Sequence, residues 1–170
     1  MVTSTAPRLE TEHLTLRCHE VADLDASAAM WADPIVVRHI GGRPFTREEV
    51  WRKILAYAGH WALLGFGYWA AEDKSTGRFV GEVGLADFRR DVVPSIEGLA
   101  EAGWVLAPWA HSKGLATEAV RAVLAWHRGP SVCLVDPDNG ASLRVAGKCG
   151  YVEVARSVYH GKTEVLLRRE

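Results

Sequence analysis

Near Pro108 the hydrophobic pattern of this chain changes period, and that change constrains the fold more than any other stretch. Residues 98–106 read as a strand. Past Pro108, Leu115, Ala119, Val123 and Trp126 recur at helical spacing, with Glu118, Arg121 and Arg128 on the opposite stripe, until Gly129-Pro130 ends the run. A strand feeding an amphipathic helix through a short loop requires a layered structure, in which the helix buries its stripe against the sheet the strand belongs to.

The flanking segments alternate in the same way. Residues 14–17 alternate apolar and polar like a half-buried strand, and Leu24, Ala28 and Trp31 then follow helical spacing up to Asp33-Pro34. Thr46 and Glu49 have capping-box spacing ahead of Val50, Ile54 and Tyr57, so a second helix is expected from there to about Gly65. Residues 66–72 and 79–85, joined by D-K-S-T-G, predict a hairpin. A short apolar strand at 132–135, a helix over 139–148 stopping at Gly150, and strands at 152–158 and 163–168 around His160-Gly161 complete the order β-α-α-β-β-β-α-β-α-β-β. The fold class expected is α/β (α+β), a mixed, mostly antiparallel central sheet flanked by helices, as one domain over 1–170.

Composition narrows the function. With 170 residues and 48% hydrophobic content the chain can bury a full core. Its 20 Lys and Arg against 21 Asp and Glu give no net pull toward nucleic acid or an anionic membrane. The opening M-V-T-S-T-A-P-R-L-E lacks a basic start and an apolar run, and no stretch reaches membrane-spanning length, so a cytoplasmic protein is expected. Cys18, Cys133 and Cys149 are odd in number and widely spaced, which suits packing rather than disulfides or zinc. The seven histidines form no H-x-H or H-E-x-x-H pair and no G-x-S-x-G elbow occurs, so metalloenzyme and hydrolase readings gain no support and no metal is expected.

The stretch E-A-G-W-V-L-A-P-W-A-H-S-K-G-L-A-T-E-A, residues 101–119, carries the chemistry. The first amides of a helix lack internal partners and sit at the positive end of its dipole, so a loop of small residues there suits an anion such as pyrophosphate. Gly114 and Ala116 lack bulk where a phosphate must approach. The loop has neither the Gly-Lys-Ser/Thr ending of a P-loop nor the three-glycine dinucleotide fingerprint. It resembles the R/Q-x-x-G-x-G/A acyl-CoA signature of the GNAT superfamily of N-acetyltransferases. E-A-G-W-V-L-A-P before it, A-T-E-A-V after it and D-P-D-N-G-A-S-L-R-V-A-G-K-C-G-Y further on are similar to the branch that includes the ribosomal-protein-alanine acetyltransferases.

The resemblance implies acetyl-CoA as cosubstrate. The backbone of Trp104 and Leu106 would hold the pantetheine arm, and amides across His111, Ser112, Lys113, Gly114, Leu115, Ala116 and Thr117 would hold the pyrophosphate. Asn139 would contact the pantetheine, Lys113 and Lys148 could meet phosphates, and the signature's usual Arg or Gln is replaced by His111. It further implies that Ser142, the serine of N-x-x-S, faces the cofactor sulfur. A backbone N–H near Leu106 is the expected oxyanion donor.

An amine attacks only when neutral. At pH 7 that costs a lysine-like amine about 4.6 kcal/mol and an α-amine about 1.4 kcal/mol, so one positioned carboxylate could serve as base. Glu101, on the strand entering the loop, is the first candidate and Glu82, on the neighbouring strand, the second. Tyr151 is the alternative to Ser142 as acid to the departing thiolate.

The resulting expectation is an N-acetyltransferase acting by direct attack in a ternary complex on an amine-bearing acceptor, a peptide N-terminus or a small molecule, with a homodimer plausible from the family. A non-catalytic acyl-CoA sensor and an unrelated nucleotide-binding enzyme are the competing readings. The acceptor groove would be built from residues 31–61, rich in aromatic and histidine side chains: Trp31, His39, Phe45, Trp51, Tyr57, His60 and Trp61.

Overall fold

The computed structural model describes residues 5–170. Residues 1–4, on which the reading of the opening segment partly rests, lie outside the described residues. Among the described residues eight strands form one sheet: β1 (Leu9–Glu10), β2 (Leu14–Arg17), β3 (Tyr68–Asp73), β4 (Phe79–Ala86), β5 (Ala100–Leu106), β6 (Ser131–Val135), β7 (Val152–Tyr159) and β8 (Lys162–Arg169). Five helices accompany them: α1 (Leu24–Trp31), α2 (Pro34–Val37), α3 (Arg47–Leu64), α4 (Leu115–His127) and α5 (Gly140–Lys148). The sheet order is β1-β2-β3-β4-β5-β6-β8-β7, antiparallel everywhere except between β5 and β6. The mixed, mostly antiparallel sheet read from the sequence is the sheet the chain forms.

Local chemistry sets the boundaries. Thr46 Oγ1 accepts from the Glu49 amide at 3.2 Å while a Glu49 carboxylate oxygen accepts from the Thr46 amide at 2.8 Å, a reciprocal cap at the start of α3. Gly65 closes α3 in the left-handed region. Asp33-Pro34 does end α1, as expected. It also begins α2, because Asp33 caps the Ile35 amide and proline's fixed φ suits a first helical turn. The two-residue β1 has too little sequence to show a period, and only its pairing with β2 makes it a strand.

The two faces of the sheet are covered differently. One receives α4, whose Leu115, Ala119, Val120, Val123 and Leu124 are buried in a core with Trp69, Val83 and Leu85. At about 1.5–3 kcal/mol per large apolar side chain, this contact anchors the helix behind the predicted anion loop. The other face receives α1 and α3, where Met30, Trp31, Val50 and Ile54 form a second core against Ala107.

The β5–β6 pairing is the feature that makes a site. It joins only Ala100 with Ser131 and Glu101 with Val132. Beyond Glu101 the two strands part, β5 running on to Leu106 and β6 to Val135, and the sheet opens between them.

Candidate active site

Two cavities occupy that opening. One, of about 540 Å³, lies at the loop end of β5; the other, of about 430 Å³, lies under α1 and α3. His39, Ile40, Trp104, Val105, Asn139 and Ser142 line both, so these residues mark where the two meet.

The loop-end cavity collects most of the residues singled out by the sequence. Trp104, Leu106, His111, Ser112, all of 114–117, Asn139, Ser142 and Lys148 line it. Lys113 does not: its ammonium sits 5.1 Å from the centroid of Trp109. Gly114 caps α4 at φ +80° with no side chain to meet the helix amides, and a Cβ built there would touch nothing within 4 Å. The Glu118 amide returns to the Gly114 carbonyl at 3.1 Å, whereas the amides from Ser112 to Thr117 find no partner among the described residues. These donors at a helix start are what a diphosphate needs. His111 turns back onto its own strand, its Nε2 donating to the Leu106 carbonyl at 2.8 Å, so its ring fastens the loop. Arg38 and Arg144 also line this cavity. The signature does not reach either residue, and only the fold brings them to the loop.

On the other side of the opening Ser142 faces both cavities, from the first turn of α5, where Asn139 Oδ1 accepts from the Ser142 amide at 3.1 Å. Tyr151 lines neither. It is buried, its hydroxyl 2.7 Å from Ser131 Oγ, and burial pushes its pKa up.

The two candidate glutamates point to the same face of the sheet but occupy different surroundings. Glu82 is registered with Val105, four residues and about 13 Å along β5 from Glu101. Glu82 is 0% exposed and lines neither cavity. It accepts from Ser27 Oγ, from Trp31 Nε1 at 3.0 Å and from the Tyr57 hydroxyl at 3.1 Å, which fasten α1 and α3 to β4. His19 lies beside it, Nε2 at 4.0 Å from Oε1, and burial holds the imidazole pKa down. Glu101 lines the cavity under α1 and α3. Arg90 Nε donates to its Oε2 at 2.7 Å, and Oε1 has no hydrogen-bond partner among the described residues.

Close packing shapes this cavity. Tyr68 lies across Gly84 and Gly103; a Cβ on Gly103 would fall 1.9 Å from its hydroxyl oxygen. Tyr57 stacks on Tyr68 with centroids 4.5 Å apart. Trp31, His39 and Tyr57 of the predicted acceptor groove line the cavity, whereas Phe45, Trp51, His60 and Trp61 do not. Trp61 packs on Trp69 and Trp126 in the α4 core.

Charged residues that sequence reading missed also line this cavity. Asp136 sits 3.3 Å from His39 Nδ1, and Glu164 on β8 has its pKa raised by burial and then by Asp136. Lys53 has its pKa lowered by burial. Asp136 opens the D-P-D-N stretch but carries no signal of its own there, and Lys53 and Glu164 belong to no local motif, so topology reveals them. Among the described residues no three His, Cys, Asp or Glu side chains gather as a metal site, and no helix is long and apolar enough to cross a membrane.

Comparisons with known proteins bear on the family and the fold. The family model of the acetyltransferase (GNAT) domain matches residues 13–152. The uncharacterized protein YkkB of Bacillus subtilis is 34% identical over 154 residues, covering 84% of each chain. Among solved structures, a Bordetella pertussis protein assigned to the GNAT-family acetyltransferases superposes with TM-score 0.85 at 29% identity, covering 97% of this chain and 100% of that one. The spermidine N-acetyltransferase of Vibrio cholerae, solved with CoA and spermine, shares the fold at TM-score 0.70 and 20% identity, covering 92% and 93%.

Proposed function

This chain belongs to the GNAT acetyltransferase family, and from that premise we propose that it acetylates a primary amine bound under α1 and α3 with acetyl-CoA bound at the loop. The observation that carries the proposal is the parting of β5 and β6 beyond Glu101, which joins a cavity of unmet amides to a cavity lined by a carboxylate, with Ser142 facing both.

The residues present fit the coenzyme. The amides from Ser112 to Thr117 would hold its diphosphate, aided by Arg38, Arg144 and Lys148, and the β5 backbone at Trp104 and Leu106 would hold its pantetheine arm. Bound there, acetyl-CoA supplies a thioester open to attack by a neutral amine.

Glu101 takes the proton that the amine gives up, through Oε1, while Arg90 fixes the other oxygen and holds the side chain in place. Ser142 offers its hydroxyl to the departing sulfur, a thiol with an ordinary pKa near 8.5 that needs only a modest donor. Glu82 acts from below as a positioning residue: its three donors hold Trp31 and Tyr57 as the wall that keeps water from the amine. The protein is proposed to work as one domain over 1–170, in the cytoplasm.

Calorimetric titration with CoA and a thiol-release assay over a panel of amines test this. Saturable CoA binding is expected, with release on at least one amine and a loss of at least thirtyfold in kcat/KM for Glu101→Gln at similar CoA affinity. Binding without release on any amine would favour a sensor and overturn the catalytic reading.

A further inference from the structure

The acceptor cavity is polarised, and Lys53 enters it without an ion-pair partner: the buried Glu82 attracts it only from a distance and is already held by Ser27, Trp31 and Tyr57. Its ammonium lies 4.3 Å from the ring centroid of Trp31, 5.4 Å from Phe45 and 5.7 Å from Tyr57, inside a pocket of aromatic faces. Among the described residues no carboxylate comes within 4.0 Å of it, although sixteen such contacts occur elsewhere in the chain. Aromatic faces stabilise an ammonium by only about 0.5–2 kcal/mol, which compensates little of the hydration it gives up.

The other basic side chains of this cavity are committed or lie at its edge. Arg90 is bound to Glu101, His39 is beside Asp136, and His160 and Lys162 are exposed at the β7–β8 turn. The carboxylates Asp136 and Glu164 belong to the opposite wall, where Val135 of β6 pairs with Val165 of β8. An occupant therefore meets the ammonium of α3 on one side and, on the other, the carboxyl groups of Asp136, just past β6, and of Glu164 on β8.

We propose that the acceptor is a small zwitterion, an amine that also carries a carboxylate, with the carboxylate paired to Lys53 and the amine on the Glu101, Asp136 and Glu164 side. The inference rests on the acetyl-transfer reading of the same site. A single ammonium, with the cavity's guanidinium, Arg90, committed to Glu101 and no nest of amides beside it, matches a monoanionic carboxylate better than a phosphate. The cavity volume of about 430 Å³ suits a molecule of amino-acid or dipeptide size.

The test uses matched pairs: leucine and leucinamide, β-alanine and β-alaninamide, glycyl-leucine and glycyl-leucinamide. Release of CoA from acetyl-CoA gives kcat/KM, expressed per neutral amine because the amides have lower amine pKa values. In at least one pair the carboxylate is expected to be favoured at least tenfold; the amino-acid and dipeptide pairs tell a free amino acid from a peptide terminus. Lys53→Met should reduce that ratio below threefold, while Lys53→Arg, which keeps the charge, should retain most of it.

A wild-type ratio near one in every pair, or a preference that survives Lys53→Met, overturns the proposal. Calorimetry of the CoA-loaded protein with each pair member separates the two readings. Carboxylate binding that depends on Lys53 but accompanies no release of CoA leaves the zwitterion site standing and sinks acetyl transfer. Release without carboxylate preference does the reverse, and neither binding nor release overturns both.

Discussion

The anion wall of the loop-end cavity is backbone, consecutive amides delivered by one strand-loop-helix segment with α2 and α5 closing the other sides, whereas the cavity under α1 and α3 is walled by side chains from α1, α3, β5, β6 and β8. The difference teaches what each can tolerate. An amide wall depends on chain conformation and on the absence of side-chain bulk, so most residue changes there leave the donors in place. A side-chain wall can be altered one residue at a time, and its specificity can change while the fold stays fixed. One architecture can therefore keep its acyl donor and vary its acceptor.

The largest effect that would break this contrast is expected at Gly114. Replacing it with glutamate puts a carboxylate beside the unmet amides and forces a Cβ into a φ of +80°. CoA affinity should fall at least a hundredfold by calorimetry, for a stability cost of about 1 kcal/mol. Unchanged affinity would mean that the amides do not grip the diphosphate, and the backbone-wall account would fail with it.

The side-chain wall is tested next at Glu82. Glu82→Ala strands the donors of Ser27, Trp31 and Tyr57 in a dry interior, and about 2–4 kcal/mol of destabilisation is expected in denaturant melts. CoA affinity should change less than threefold, because no atom of Glu82 lines the loop-end cavity. Equal damage to stability and CoA binding would show the two walls to be one unit. Ser142, which faces both, should give a smaller and purely kinetic change: Ser142→Ala is expected to lower kcat about tenfold with little change in the KM for acetyl-CoA. A change confined to KM would make Ser142 a binding group rather than a proton donor.

The same contrast explains what could be read in the sequence. Residues 101–119 announce strand, loop and helix in one stretch, since amides need only a period change, a glycine and small neighbours to be placed. The caps of α3 and the hairpin of β3 and β4 were legible for the same reason: Thr46 pairs with Glu49 three residues on, and Gly65 reaches the Trp61 carbonyl four residues back. The acceptor wall was not. Lys53 looks like any surface lysine of an amphipathic helix until Trp31, Phe45 and Tyr57 close around it, and Asp136 meets His39 across 97 positions of chain. Aromatic richness in residues 31–61 pointed to both a core and a groove, and the chain divides them: Trp31 and Tyr57 face the cavity, Trp61 the α4 core.

Tyr151 gives the smallest expected effect and the sharpest separation of structural from chemical roles. Its hydroxyl, just after Gly150, is the sequence's alternative acid to the thiolate. The hydroxyl instead lies in a buried pair with Ser131, at the one place where β5 and β6 are still joined, since Ser131 is registered with Ala100. Burial also raises its pKa, so the phenol holds its proton firmly. Tyr151→Phe should therefore remove one buried hydrogen bond and leave the Ser131 hydroxyl short of a partner, costing about 1–2 kcal/mol in a denaturant titration. kcat should stay within twofold of the parent, because nothing that lines either cavity is lost. A tenfold drop in kcat at unchanged stability would put the phenol in contact with the departing sulfur. The closed end of the β5–β6 opening would then have to loosen during turnover to let it through.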